Sequence, residues 1–311
     1  MNEAASDIAV TPVDRAIERL RSIYRSWTRD TSIAQMRRDW EEAFSGCTVP
    51  VTCRQVSAGG VDGEWIAPAA AAPDKAILYL HGGGFRIGSI ASHRDLIARI
   101  AQSSCCRVLA INYRLAPEHR FPAGLDDTLT AYRYLLDQGL RPADVALAGD
   151  SAGGNLALAA MLALRDHGEA LPAAAALMSP WTDLAATGAS YESRAKADPI
   201  HQRAMILALA KNYLGADGDP RYPLASPLYA DPCGLPPLLI QVGDSETVQD
   251  DSTAFAAKAK GADVNVELQI WSGMIHVFQM FAEIPQAREA LTELAMFLRR
   301  HLHIDDGRPA Q

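Results

Sequence analysis

The pentapeptide Gly149-Asp150-Ser151-Ala152-Gly153 lies between an apolar run, Val145 to Ala148, and a helix-forming run, Leu156 to Leu164. A G-x-S-x-G sequence at a strand-to-helix joint holds its serine on a tight turn, hydroxyl outward, with a helix N-terminus just behind it. Glycines at both ends permit that turn. The joint demands a strand that feeds a helix, and with it a sheet whose faces are covered by helices.

The chain from residue 50 onward meets that demand. Strand candidates are 51–56, 64–67, 76–80, 107–112, 145–148, 174–178, 238–242 and 264–270, and helices are expected near 93–103, 123–138, 152–167, 201–214, 251–260 and 286–302. This alternation predicts a mostly parallel eight-stranded α/β sheet with helices on both faces, its first two strands forming a hairpin. Two amphipathic helices come first. Thr11-Pro12-Val13-Asp14 orders a cap, a first-turn proline and an acid ahead of Ile17, Leu20, Tyr24 and Trp27, which predicts a helix over 12–28. Ser32 and Gln35 repeat the signal before Ile33, Met36, Trp40 and Phe44, a face that stops before Gly46. The stretch 180–236 breaks the rhythm and is too long for an ordinary connection, so it reads as an insertion able to form a lid over the strand ends, where open α/β sheets bind ligands.

A length of 311 residues supports a sizeable core and excludes small stapled folds. The net charge of −8 argues against a nucleic-acid partner. Five cysteines, odd in number and without C-x-x-C spacing, cannot form a full disulfide framework, and a cytoplasmic location is expected. Cys105 and Cys106 read as buried small hydrophobes in a strand. The longest apolar run, Leu156 to Leu164, is far short of the roughly 20 residues that cross a bilayer, so no membrane span is expected. Arg15, Arg19, Arg21 and Arg25 are interleaved with Asp7, Asp14, Glu18 and Asp30, with no apolar signal core after them. That segment therefore reads as part of the mature protein.

A second glycine-rich segment, His81-Gly82-Gly83-Gly84-Phe85, follows the strand candidate 76–80. It satisfies neither G-x-x-x-x-G-K-[ST] nor G-x-G-x-x-G, so a phosphate loop is set aside. Its bare N–H groups suit an oxyanion instead, and Gly83, Gly84 and the Ala152 N–H are the candidate donors. A serine needs a base to take its proton and an acid to orient that base. His276, in the loop after the strand 264–270, is the candidate base. His167 and His201 read as solvated surface residues, and His301 and His303 as uninvolved. For the acid, Asp244, Glu246, Asp250 and Asp251 all compete after the strand 238–242, and spacing does not decide among them. Asp250 and Asp251 also suit helix capping and the helix dipole.

HGGGF at 81–85, YRLAPE at 113–118 followed by FPA at 121–123, GDSAGGN at 149–155 and GMIHVF at 273–278 together resemble the hormone-sensitive lipase family of bacterial esterases, family IV of the α/β-hydrolases. The similarity runs over roughly 50–303 in order and spacing. It implies an α/β-hydrolase fold with a helical cap, made of residues 1–45 and the 180–236 insertion, over a catalytic domain at 46–311. It further implies a carboxylesterase without cofactor or metal, acting on a small-molecule ester with short-to-medium acyl chains. The catalytic residues would be Ser151, His276 and Glu246, with Asp250 as the family's second acid and Asp244 as the main rival to Glu246. The Tyr113–Glu118 segment reads as structural support for the oxyanion loop, while Trp27, Trp40 and Phe44 would pack the cap or line it. Homodimerisation through an outer strand or helix is common in that family. Amide, acetyl or lactone hydrolysis would use the same chemistry. A receptor on this fold lacks the catalytic histidine, and an elbow bearing serine is not that of a haloalkane dehalogenase or epoxide hydrolase.

Overall fold

A computed structural model describes residues 10–304, so Asp7 and the start of the 1–45 segment lie outside the described residues. Helix α1 (Pro12–Ser26) starts in a capping box, Thr11 accepting from the Asp14 N–H while the Asp14 carboxylate accepts from the Thr11 N–H. Ser32 caps α2 (Ile33–Phe44) by accepting from the Gln35 N–H. The chain then forms β1 (Thr52–Ala58), β2 (Val61–Ala67), β3 (Ala72–Leu80), α3 (Ile90–Ser104), β4 (Cys106–Ile111), α4 (Ala123–Asp137), β5 (Val145–Asp150), α5 (Ala152–Asp166) and β6 (Ala174–Met178). After β6 come α6 (Ser190–Ser193), α7 (Arg203–Leu214), β7 (Leu238–Gly243), α8 (Gln249–Gly261), β8 (Val266–Trp271) and α9 (Pro285–Leu302).

The strands form one sheet in the order β1-β2-β4-β3-β5-β6-β7-β8. The β1–β2 hairpin and the β2–β4 pair are antiparallel, and every pairing from β4–β3 to β7–β8 is parallel. This is the expected α/β-hydrolase arrangement. Alternate residues of β3 and β5 serve opposite faces, as a period of two requires. Leu78 and Leu147 join Leu156 and Phe255 on the side of α4, α5 and α8, while Ile77, Tyr79 and Ala146 join Leu96, Leu294 and Phe297 on the side of α3 and α9. Sandwiched in this way, all six residues of β5 are buried.

Because β4 and β5 flank β3 on opposite sides, the chain changes direction at β3, and a crevice opens at the strand ends there. Leu80 pairs with Gly149 and Asp150 with Met178, so the segments beginning at His81, Ser151 and Ser179 leave the sheet side by side. Over this edge lie α1 and α2, whose Ala16, Leu20, Trp40 and Phe44 pack with Ile275, Phe278 and Phe281. Each such large apolar side chain contributes about 1.5–3 kcal/mol by leaving water. The stretch after β6 carries α6 and α7, one more helical turn than its sequence suggests.

Local differences have local causes. Ser89 caps α3, whose first residue, Ile90, comes three residues before the expected start. Cys105 is the left-handed C-cap of that helix and half-buried, so only Cys106 is a buried strand residue. Among the described residues no helix is long and apolar enough to cross a membrane.

Candidate active site

Ser151 sits between β5 and α5 with φ +50°, a region that L-residues avoid. Its N–H donates to the Met178 carbonyl and its own carbonyl accepts from the N–H groups of Asn155 and Trp181, so three backbone hydrogen bonds hold the strained turn. A Cβ at position 153 would fall on the Leu80 carbonyl, which explains why the last residue of G-x-S-x-G is glycine.

The HGGGF segment lies beside this turn, anchored by Asp150. The Asp150 carboxylate accepts from the Gly82 N–H at 3.0 Å and the Tyr79 hydroxyl at 2.6 Å, and lies 3.5 Å from His93 Nε2. Burial raises this carboxyl, yet His93 and its hydrogen-bond donors outweigh burial and hold it below the ordinary range. His81 is pushed down to about 3 by burial and by the neighbouring His93, so it is a neutral ring, stacked on Tyr113 at 4.4 Å. Tyr113 donates to the His81 carbonyl at 2.7 Å and the Ala116 N–H to the Phe85 carbonyl at 2.8 Å. The Tyr113–Glu118 segment thus braces the loop, and the Phe85 ring stacks on Tyr213 of α7 at 3.7 Å. Gly83 has φ +115°, with Ile87 so close that a Cβ would meet its carbonyl. The N–H groups of Gly83, Gly84 and Ala152 meet no acceptor among the described residues.

His276, just past β8, donates from Nδ1 to Glu246 Oε2 at 2.6 Å. Glu246 is fully buried, and its other oxygen accepts from the Gly243 N–H at 2.6 Å and the Ser179 hydroxyl at 2.7 Å. Ser179 in turn accepts from the Val277 N–H, fixing the residue next to His276. Burial lowers the affinity of the His276 ring for a proton, but Glu246, with Asp198 and Asp150, outweighs it and raises the pKa above 6.5.

The rival carboxylates are engaged elsewhere. Asp244 accepts from the Ser272 hydroxyl and Gly273 N–H, Asp250 from the Ser190 N–H, and Asp251 from the Thr182 and Asp183 N–H groups and the Tyr191 hydroxyl. Asp250 and Asp251 stand in the first turn of α8, where the dipole favours them, but neither caps that helix.

Ser151, His276, Gly83 and Gly84 line one cavity of about 310 Å³. Tyr24, Trp27, Met36 and Trp40 of α1–α2, and Ile200, Met205 and Leu209 of the stretch after β6, complete its largely apolar wall. Phe44 does not reach it and packs on Phe281 instead.

One expectation is corrected here. His201 is not a solvated surface residue: its side chain is 13% exposed, lines the cavity, and stands at 75° to the His276 ring with centroids 4.5 Å apart. Its Nδ1 lies 3.7 Å from Asp198, whose buried carboxylate accepts from the N–H groups of Ile200, His201 and Thr247. The insertion folds back onto the sheet edge and takes His201 out of water. His167, at the end of α5, is exposed as expected, and His301 packs on Phe297 and does not line the cavity.

A sequence model of the alpha/beta hydrolase fold family matches residues 77–280. An acetyl-hydrolase of Streptomyces hygroscopicus is 44% identical over 260 residues, covering 83% of this chain and 86% of that protein. An esterase of Acinetobacter venetianus is 41% identical over 248 residues, covering 79% and 82%. The crystal structure of an esterase from the bacterial hormone-sensitive lipase family superposes with a TM-score of 0.90 at 44% identity, over 94% of this chain and 98% of that one.

Proposed function

The chain belongs to the α/β-hydrolase fold family, in its hormone-sensitive lipase branch of bacterial carboxylic ester hydrolases, and from this we propose that Ser151, His276 and Glu246 form its catalytic triad. The single observation that carries the assignment is the buried 2.6 Å contact of Glu246 with His276, in a ring-and-carboxylate pair whose imidazole shares a cavity with Ser151.

His276 Nε2 takes the hydroxyl proton as Ser151 Oγ bonds to the ester carbonyl carbon. The carbonyl electron pair moves onto oxygen, and the N–H groups of Gly83, Gly84 and Ala152 hold that oxyanion. Each preorganised donor is worth a few kcal/mol of barrier. Collapse breaks the ester bond, His276 gives its proton to the departing alkoxide, and an acyl-Ser151 remains. Water, deprotonated by His276, then releases the carboxylic acid by the same steps in reverse. Glu246 holds the reactive tautomer and stabilises the imidazolium formed at each stage. Side chains, backbone donors and water complete the cycle.

Helices α1–α2 and the 180–236 insertion act as a two-part cap on the 46–311 catalytic domain, a reading supported by their shared wall of the cavity. A cavity of about 310 Å³ suits short-to-medium acyl chains, and the acetyl-hydrolase name of one relative points the same way. Five free thiols favour a reducing, cytoplasmic setting.

Turnover of 4-nitrophenyl butanoate by the wild type, with an initial burst and organophosphate labelling of Ser151, is the expected result. Ser151→Ala should lose more than a thousandfold in kcat, since the other members act only through the nucleophile. Wild-type turnover in that variant, or failure of the wild type to label, would overturn the triad in favour of another serine or a non-catalytic receptor.

A further inference from the structure

Among the basic side chains that line the cavity, one lacks a carboxylate partner. His276 has Glu246, His93 has Asp150, and His201 lies beside Asp198. Arg86 makes no ion pair among the described residues. It is half-buried, its Nε is enclosed without an acceptor among the described residues, and its Nη2 donates to the Met36 sulfur at 3.3 Å.

The neighbouring carboxylate is already committed. Glu118 accepts from both terminal nitrogens of Arg37, at 3.0 and 2.8 Å. Arg37 also spans to the carbonyls of Arg86 and Ala116. Glu118 is thus paired with Arg37 and not with Arg86. Burial, then the like charge of Arg37, makes the Arg86 proton easier to lose than usual, against smaller opposing effects of Tyr24 and Glu118. A partly desolvated guanidinium is costly until an anion meets it, and its fork of donors suits a carboxylate.

The position of Arg86 says what that anion belongs to. Its backbone N–H donates to the Gly83 carbonyl, inside the turn that would hold the oxyanion. The guanidinium and the reacting carbonyl are thus positioned by one short segment.

We propose that the ester taken by this cavity carries a carboxylate, and that Arg86 is its receptor. The proposal rests on the esterase reading and adds a substrate class to it: hemiesters of dicarboxylic acids, or esters of carboxylate-bearing alcohols. Arg86 is a specificity residue and takes no part in the bond-breaking steps.

The test compares kcat/KM for matched pairs. In the acyl arm these are mono-4-nitrophenyl glutarate and adipate against 4-nitrophenyl pentanoate and hexanoate. In the alcohol arm they are 3-carboxyphenyl butanoate against 3-methylphenyl butanoate. The ratio of anionic to neutral ester is internal to each protein, so loss of folded enzyme scales both members alike. In at least one arm that ratio should fall tenfold or more from wild type to Arg86→Met and recover in part in Arg86→Lys. An unchanged ratio in both arms overturns the proposal. Should the wild type cleave no ester of either kind, the esterase reading fails on its own. Calorimetric titration of glutarate then still reads Arg86: binding lost in Arg86→Met supports the receptor, and equal or absent binding in both proteins overturns it.

Discussion

Replacing Glu246 by Gln changes one oxygen to an amide nitrogen in a site with no room to rearrange. The wild-type carboxylate is fully buried and accepts from His276 Nδ1, the Gly243 N–H and the Ser179 hydroxyl. Glutamine keeps one acceptor oxygen for these three donors, so its N–H₂ group must face a donor. Breaking a buried charged pair costs about 3–5 kcal/mol. If that loss falls on the imidazolium formed in the transition state, kcat drops between about a hundredfold and a few thousandfold, at about 1.4 kcal/mol per factor of ten. The pH profile carries a second signature. Glu246 raises the His276 pKa against the opposing effect of burial, so the wild-type acid limb of kcat/KM lies above the ordinary imidazole value of 6.5. In Glu246→Gln burial acts with less opposition and the limb moves to lower pH. Stopped-flow and steady-state hydrolysis of 4-nitrophenyl butanoate across pH 5–9 reads both effects, with Asp244→Asn as control. The control stays within a few-fold, because Asp244 bonds Ser272 and Gly273 and leaves His276 alone. A larger loss in Asp244→Asn, or an acid limb that does not move down in Glu246→Gln, would refute the reasoning.

Two further substitutions probe the surroundings. Gly153→Ala sets a Cβ against the Leu80 and His81 carbonyls and should cost at least about 2 kcal/mol by denaturant unfolding, with an unchanged midpoint counting against the packing argument. His201→Ala removes an edge-to-face contact worth about 0.5–1.5 kcal/mol and should lower kcat about two- to tenfold with little effect on KM. His201→Phe keeps the ring and should restore most of that loss. Equal losses in both variants would point to the nitrogen atoms of His201 rather than to its shape.

The fold was legible because its signals are local. Capping at Thr11 and Ser32, a hairpin turning at Gly59-Gly60, and apolar runs alternating with helices each occupy a short window of sequence. Ser151 was legible for the same reason, since the elbow is written in five consecutive residues. The acid was not. Asp244, Glu246, Asp250 and Asp251 crowd eight positions past β7, and each is claimed by a different distant residue, at Ser272, His276, Ser190 and Thr182. Which carboxylate turns to which partner is decided by packing, and sequence spacing carries no trace of it. His201 failed for a related reason: a histidine in an insertion looks solvated until the insertion is seen folded over His276. Ser179, Asp198, Arg37 and Arg86 stand in no motif, so nothing short of the folded chain brings them forward.

The reversal of direction at β3 also governs how the molecule reaches its native state. The Gly82 N–H and Asp150 carboxylate that fasten two neighbouring loops are 68 residues apart, Ser179 and Glu246 are 67 apart, and Arg37 and Glu118 are 81 apart. Closing loops of that size must be met in entropy before any of these bonds repays it, and parallel pairing makes such chains slow to fold. Helical content is therefore expected to return before the cavity does when the protein refolds. On the proposed triad, a nascent chain that ends at β8 lacks His276, and hydrolysis is expected only once synthesis has passed that residue.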